Sequence, residues 1–313
     1  MIRFAAIADV QYADADDKNG RHYRASYEKL LAAVGEFAER KDVAFAMNFG
    51  DAYDHDWESA LAIQEVLRVS SERGKLQWRH VLGNHDFSVP RNKKADVYGV
   101  FQLKKPGYYD FSLVDPDDES NKWRVVVLNG NEISLYAAEN DKEREAAKEE
   151  RAKQKLADGS DPHDYNGSVS AKQLEWLEKT LKAAEDEGQN ALVCSHFPLY
   201  TNSKNLHSAR TRLASLVNVG IYYSDLGVST WNGREILDVL DRHSCVKGYF
   251  AGHLHEGSYG ERNNVAHVTF RGLVEAETTV YAYVELGKTA IRVEGKGDQP
   301  SYDFKFAKEK KKS

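Results

Sequence analysis

The chain has 313 residues, 41% hydrophobic and 29% charged, with a formal net charge of −6. This is globular composition with enough apolar content for one large α/β domain or two smaller ones. It argues against the basic surplus of a nucleic-acid or membrane-surface binder, and no stretch approaches the roughly 18 apolar residues of a membrane span.

In chain order, "RFAAIAD" (3–9) reads as a first strand. Its apolar run ends too soon, and without a small-residue cleavage site, for a secretory leader. Residues 22–40 carry Tyr23, Tyr27, Leu30, Leu31, Val34 and Phe37 on one helical face. "VAFAMNFGD" (43–51) is a second strand ending in an acid, and a helix over about 57–72 stops before Gly74. "LQWRHVLGNHD" (76–86) is a third strand running into a polar loop, and "WRVVVLNGN" (123–131) is a fourth. Residues 138–157 are nearly all charged or alanine, which predicts a solvated helix or arm, with a mobile lid as the functional alternative.

Ser170 with Gln173 makes a capping box for a helix carrying Leu174, Leu177 and Leu181, and Gly188 ends it. "NALVCSHFP" (190–198) and "VKGYFAGHLH" (246–255) are two more strands. "AHVTFRG", "TVYAYVEL" and "TAIRVEG" lack helices between them and predict an antiparallel set. Cys194 and Cys245 lie in apolar runs as core thiols, and a cytoplasmic address is expected. Alternation of short apolar runs with amphipathic helices argues for α/β layering. The expected organisation is a single domain over 1–300 with insertions at about 138–160 and 201–231, followed by a basic tail over 301–313.

Five segments share one pattern, an apolar strand followed by a metal-type side chain at its carboxyl end. They hold Asp9 with Gln11, Asp51 with Asp54 in "GDAYD", Asn84 with His85 in "GNHD", His196 in "CSH", and His253 with His255 in "GHLH". In open α/β sheets, sites form just beyond those ends. Alternate residues of an extended segment point the same way, so Asp9 and Gln11 can share an ion and His253 and His255 can face adjacent ions. Gly50, Gly83 and Gly252 precede the ligand positions and permit tight turns there. The remaining histidines, His22, His55, His80, His163, His207, His243 and His267, read as structural or solvent-exposed.

This order resembles that of the calcineurin-like metallophosphoesterases, over residues 4 to about 275. The resemblance implies a four-layer α-β-β-α sandwich of two packed mixed sheets and a centre of two divalent metal ions. Carried over position by position, Asp9, Gln11, Asp51 and His255 hold one ion and Asp51, Asn84, His196 and His253 the other. Asp51 bridges, and His85 lies near the scissile phosphate, paired with Asp54. Two cations clamp the attacking and leaving oxygens of a phosphoryl centre and activate a water.

Gln11 stands where the family commonly has histidine. Its carbonyl oxygen is harder than an imidazole nitrogen, so manganese is the preferred metal, with magnesium, iron or zinc as alternatives. The opposing reading is that Gln11 is no ligand and the first site is degraded, which leaves a non-catalytic scaffold. One branch, the manganese-dependent ADP-ribose/CDP-alcohol diphosphatases, also carries "DVQ" here. "IADVQYAD", "GNHDF", "NGSVSAKQLEWLEKTL", "VCSHFPLY", "FAGHLHEGSY" and "VTFRGLVEA" resemble that branch.

The implied activity is hydrolysis of the pyrophosphate of small nucleotide-type substrates such as ADP-ribose, CDP-choline or CDP-glycerol. A phosphodiesterase or phosphomonoesterase with another substrate is the alternative. Cleavage of nucleic acid is disfavoured by the acidic balance. The loop after Tyr12 lacks the phenylalanine that helps hold the base in these relatives, and Tyr12 or Tyr23 is the candidate substitute. The longer segment 201–231 brings His207, Arg210, Arg212, Tyr222, Tyr223 and Trp231, either as a pocket lining with arginine for phosphate and an aromatic ring for the base, or as a surface excursion.

Overall fold

A computed structural model of the chain describes residues 1–202 and 219–307. Among these, the strands and helices run β1 (Ile2–Ile7), α1 (Tyr23–Glu39), β2 (Ala46–Asn48), α2 (Trp57–Gly74), β3 (Trp78–His80), α3 (Val97–Val100), β4 (Tyr109–Asp115), β5 (Asp118–Val127), β6 (Ile133–Ser134), α4 (Asp141–Lys153), β7 (Gly167–Ser168) and α5 (Ala171–Asp186). They continue with β8 (Asn190–Cys194), β9 (Tyr200–Asn202), β10 (Gly220–Tyr222), α6 (Gly233–Arg242), β11 (Val246–Ala251), β12 (Ser258–Arg262), β13 (Val265–Thr269), β14 (Tyr281–Leu286), β15 (Ala290–Lys296) and β16 (Tyr302–Lys305).

Two six-stranded mixed sheets carry the fold. The first has the order β16-β15-β14-β1-β2-β3, the second β12-β13-β11-β8-β5-β4. β1, β2 and β3 are parallel, as are β5, β8, β11 and β13, and antiparallel strands complete the edges.

Each sheet buries both faces. In β1, Phe4 and Ala6 enter a core shared with Trp123 and Val125 of β5, Leu192 of β8 and Phe250 of β11. Ala5 and Ile7 face the other way, against Leu30, Val34 and Phe37 of α1 and Ile63 and Leu67 of α2. Leu177 and Leu181 of α5, with Ile236 and Leu240 of α6, cover the outer face of the second sheet. The layers are therefore α-β-β-α, as expected. Burial on both faces is why β1 reads as an almost unbroken apolar run rather than an alternating one.

The helix ends follow local chemistry. Asp56 accepts from the Ser59 N–H and starts α2, which runs to Gly74, beyond the expected stop at 72. Ser170 accepts from the Gln173 N–H at 3.1 Å. The reciprocal half of the capping box is made differently. Glu132, not Gln173, receives the Ser170 N–H at 2.9 Å, and the Gln173 amide donates to Glu132 and to the Asn129 carbonyl.

The charged stretch is a helix, α4, capped by Asn140. Ala147 is its one buried residue, packed with Leu135 and Trp231. The terminal strands are not one antiparallel set: β13 lies in the second sheet, parallel to β11, while β14 and β15 pair in the first. Nor does the fold end at 300, because β16 pairs with β15 and buries Phe304. No helix among the described residues is long and apolar enough to cross a membrane.

Candidate metal centre

The candidate residues lie beyond the strand ends rather than on the strands. β1 stops at Ile7, β2 at Asn48, β3 at His80, β8 at Cys194 and β11 at Ala251, and the chain then turns. Asp9 (φ 51°), Gln11 (φ 43°), Asp51 (φ 54°) and His253 (φ 71°) all adopt left-handed backbone. Such conformations cost about 1–3 kcal/mol each in a non-glycine residue and persist only where the surroundings hold them. The expected alternation along an extended segment therefore does not apply. Successive left-handed turns bring Asp9 and Gln11 to one rim, and a backbone ladder holds them: Asp9 N–H donates to Gly50 and Gln11 N–H to Asp51.

Six side chains converge there: Asp9, Gln11, Asp51, His196, His253 and His255. Asp51 Oδ2 lies 3.2 Å from Gln11 Nε2 and 3.2 Å from His196 Nε2. Gln11 Nε2 is also 3.2 Å from His255 Nε2, which stands 3.5 Å from Asp9 Oδ1. Asp51, His196 and His253 bring one potential ligand atom each within 4.8 Å of one another.

Asp9, Gln11, Asp51, Asn84 and His196 are almost wholly buried. Gln11 Oε1, Asn84 Oδ1 and Nδ2, His196 Nε2 and His253 Nε2 have no hydrogen-bond partner. Buried polar atoms are normally paired, and leaving one unpaired costs about 1–3 kcal/mol. A cluster of orphaned carbonyl oxygens and ring nitrogens beside a carboxylate is the donor set that a divalent cation satisfies. The residues thus fit a metal site.

The carboxylate and the rings also act on one another. Burial works to raise the Asp51 carboxyl, but the His196 and His85 rings hold it well below the usual carboxylate range. Burial lowers the His196 ring, yet the Asp51 carboxylate outweighs it and pushes the ring up to about 9. His253 goes the other way, driven down by burial and by the charge of His196.

His85 and Asp54 sit at the edge of this cluster. His85 Nδ1 is 2.9 Å from Asp54 Oδ2, within ion-pair distance but without hydrogen-bond alignment. The His85 side chain keeps 20% of its surface exposed, whereas Asp54 keeps 6%. The His85 backbone N–H donates to Asp51 Oδ1 at 2.7 Å, which ties the two loops together.

Three supporting residues were not identified from the sequence. Asp86, inside the quoted "GNHD", accepts the backbone N–H groups of Asp51, Ala52 and Gly83 at 3.1, 2.8 and 2.8 Å. Glu275, inside "VTFRGLVEA", sits 2.8 Å from His255 Nδ1 and so holds the ring with Nε2 toward Gln11 and Asp9. Tyr165 stacks on His163 at 4.8 Å and lies 5.6 Å from the His253 ring. Adjacency to a ligand position was the available signal for Asp86. Nothing local marks the other two.

The glycines act by space more than by turning. Only Gly50 of the three has positive φ (+96°), and a Cβ on Gly83 would stand 2.1 Å from Asp51 Oδ1. Gly83→Ala is expected to cost about 1–3 kcal/mol through overpacking. A urea unfolding midpoint equal to the wild type's would show that the loops have room.

The remaining candidates scatter. Tyr12 is half-buried, packed against Tyr27 at 4.8 Å. Tyr23 is buried with Ala13 and Val274, so it does not offer a face for a base. His207, Arg210 and Arg212 lie outside the described residues. Of the same insertion, Tyr223 is buried and donates to Ser258 Oγ at 2.9 Å, and the buried Trp231 donates to the His163 carbonyl at 2.9 Å. Tyr222 lies between the Arg234 and Arg262 guanidinium groups. These three aromatics hold the fold.

Residues 2–257 match the calcineurin-like phosphoesterase family model. A manganese-dependent ADP-ribose/CDP-alcohol diphosphatase from Xenopus tropicalis is 28% identical, covering 90% of this chain and 88% of its own. One from Oryza sativa subsp. japonica is 29% identical, covering 91% and 88%. A dimetal phosphatase from Danio rerio superposes with a TM-score of 0.76 at 20% identity, covering 98% of this chain and 99% of that one.

Proposed function

The chain belongs to the calcineurin-like phosphoesterase family, and from that premise we propose that it is a manganese-dependent hydrolase that cuts the pyrophosphate of nucleoside diphosphate-linked compounds of the ADP-ribose or CDP-alcohol type. The observation that carries this reading is the set of orphaned buried donors around Asp51, which suits a pair of divalent ions sharing one carboxylate. The names of relatives that cover nine-tenths of the chain support the substrate class.

Asp9, Gln11, Asp51 and His255 would hold one ion; Asp51, Asn84, His196 and His253 would hold the other. When bound, the pair supplies Lewis acidity and a nucleophilic water to a phosphoryl centre. The chain's own residues do the rest. Three imidazoles and two amides add no negative charge to the site, so a diphosphate anion is not repelled. Asp9 and Asp51 would supply the carboxylates of the centre. His85, turned by Asp54 and partly open to solvent, donates a proton to the leaving phosphate oxygen. Tyr12, Arg210 and Arg212 are the substrate-binding candidates.

Glu275 positions His255 from behind. Ligating histidines held this way lose about 10–100-fold in metal affinity when the outer carboxylate is removed. Glu275→Gln is expected to weaken manganese binding by that amount in a calorimetric titration, and an unchanged dissociation constant would remove Glu275 from the site. Gln11 supplies an oxygen where a nitrogen is the family's habit. Gln11→His is expected to move the preference from manganese toward zinc by about tenfold, since imidazole favours the later metal. Metal-dependent rates for manganese, magnesium and zinc measured side by side would read this, and an unaltered order would mean that Gln11 is not a ligand.

The function itself is tested by a panel of ADP-ribose, CDP-choline, CDP-glycerol, FAD and cyclic nucleotides under each metal. Fastest manganese-stimulated hydrolysis is expected among the diphosphates. Preference for a cyclic nucleotide would replace the substrate class but keep the centre.

A further inference from the structure

A cavity of about 650 Å³ opens at the free edge of the first sheet, where β3 meets α2, the end of α3 and β4. None of the metal-centre residues lines it. Its walls include Trp78, Arg79, His80, Phe101, Tyr109 and Phe111. The size is that of a small-molecule pocket, and the aromatic walls alternate with polar ones that include Gln64, Glu65, Arg68 and Asp110.

The edge is closed to a pairing strand. Tyr109 Oη bonds both the N–H and the carbonyl of His80, each at 3.0 Å, so an added peptide finds those backbone groups taken. What is left open is side-chain chemistry. Trp78 and His80 stack nearly parallel at 5.9 Å with their planes 13° apart, and Phe101 leans on His80 at 4.9 Å.

The Arg79 guanidinium lies 4.9 Å over the Phe111 ring. It donates to the Trp78 carbonyl at 3.2 Å and, among the described residues, has no carboxylate within ion-pair distance. Arg68, by contrast, is neutralised by Glu65 and Glu72. His80 is buried, and its Nδ1 has no hydrogen-bond partner. An unneutralised arginine fork over an aromatic wall recognises an anionic group joined to a flat ring.

We propose that this cavity is a second ligand site, distinct from the metal centre, for a planar aromatic ring carrying one anionic group. The anion meets Arg79, and the ring lies on the neighbouring aromatic wall of Tyr109 and Phe111. The exposed Leu61 of α2 forms the opposite lip.

The test uses the manganese-loaded full chain with anilinonaphthalene sulfonate as probe and the uncharged phenylnaphthylamine as its control. Saturable binding of one sulfonate per chain is expected, with quenching of tryptophan emission. Arg79→Gln should weaken the sulfonate by at least about tenfold, the value of a charge-assisted contact, and change the neutral control by less than about twofold. Ser71→Trp, at a half-buried position in the cavity wall, should displace both probes. Melting temperatures of the variants separate lost binding from lost fold. Absence of saturable binding to the wild-type chain would overturn the proposal. So would binding that both well-folded variants leave unchanged, as a generic apolar surface does.

Discussion

Asp51→Asn is expected to abolish manganese-stimulated turnover, with a fall of about a thousandfold or more. The side chain is buried and touches both halves of the centre: Gln11 on one side and His196 on the other, each at 3.2 Å. An amide of the same shape removes the one negative charge that two cations can share. Losing about 4 kcal/mol of stabilisation at the phosphoryl centre is worth about three orders of magnitude. The fold should survive, because an asparagine oxygen still accepts the His85 N–H and Asp86 still holds the Asp51 and Ala52 backbone. The metal-free variant should melt near the wild type, and manganese should no longer raise its melting temperature. Turnover within tenfold of wild type would remove Asp51 from the bridging position.

His85→Ala is expected to have the second largest effect and a different signature. The side chain is outside the cluster of donors, paired with Asp54 and partly exposed. Removing a general acid typically costs about 10²–10⁴ in rate. Here that loss should fall on kcat, with manganese stoichiometry kept and KM nearly unchanged. The leaving group supplies the discriminating comparison. A nitrophenyl ester releases a stable phenolate and needs no proton, so the variant should lose far less on it than on ADP-ribose. Equal losses on both would make His85 a binding residue. Full turnover on both would leave it without a role.

Much of this architecture is legible in the sequence because the two sheets bury both faces. Runs such as Phe4–Ala8 and Ala191–Cys194 announce themselves by composition alone, and Ser170 marks a helix start by hydrogen-bond chemistry. The order of metal-type residues at strand ends is legible too, since each follows its own apolar run. Pairing partners are not. The sequence 265–269 has the same alternation whether β13 joins the first sheet or the second, and only long-range packing against β11 decides. β4 escaped notice because its residues are only half-buried, and β16 because it precedes a lysine-rich end.

Within the site, side-chain alternation was the wrong reason for bringing Asp9 beside Gln11. Left-handed turns do it, and a positive φ at aspartate or glutamine has no local signature. Glu275 and Tyr165 reach the centre from segments distant in sequence from their contacts. Their positions are a property of the assembled sheets rather than of any motif.

The central claim is that two divalent ions share Asp51. Electron paramagnetic resonance of the chain titrated with manganese reads this directly. Two ions about 3.5–4 Å apart, the spacing of two-metal hydrolytic sites, give an exchange-coupled spectrum at two equivalents per chain. The account predicts that coupled signal, and its loss in Asp51→Asn. An uncoupled six-line spectrum that saturates at one equivalent would contradict it.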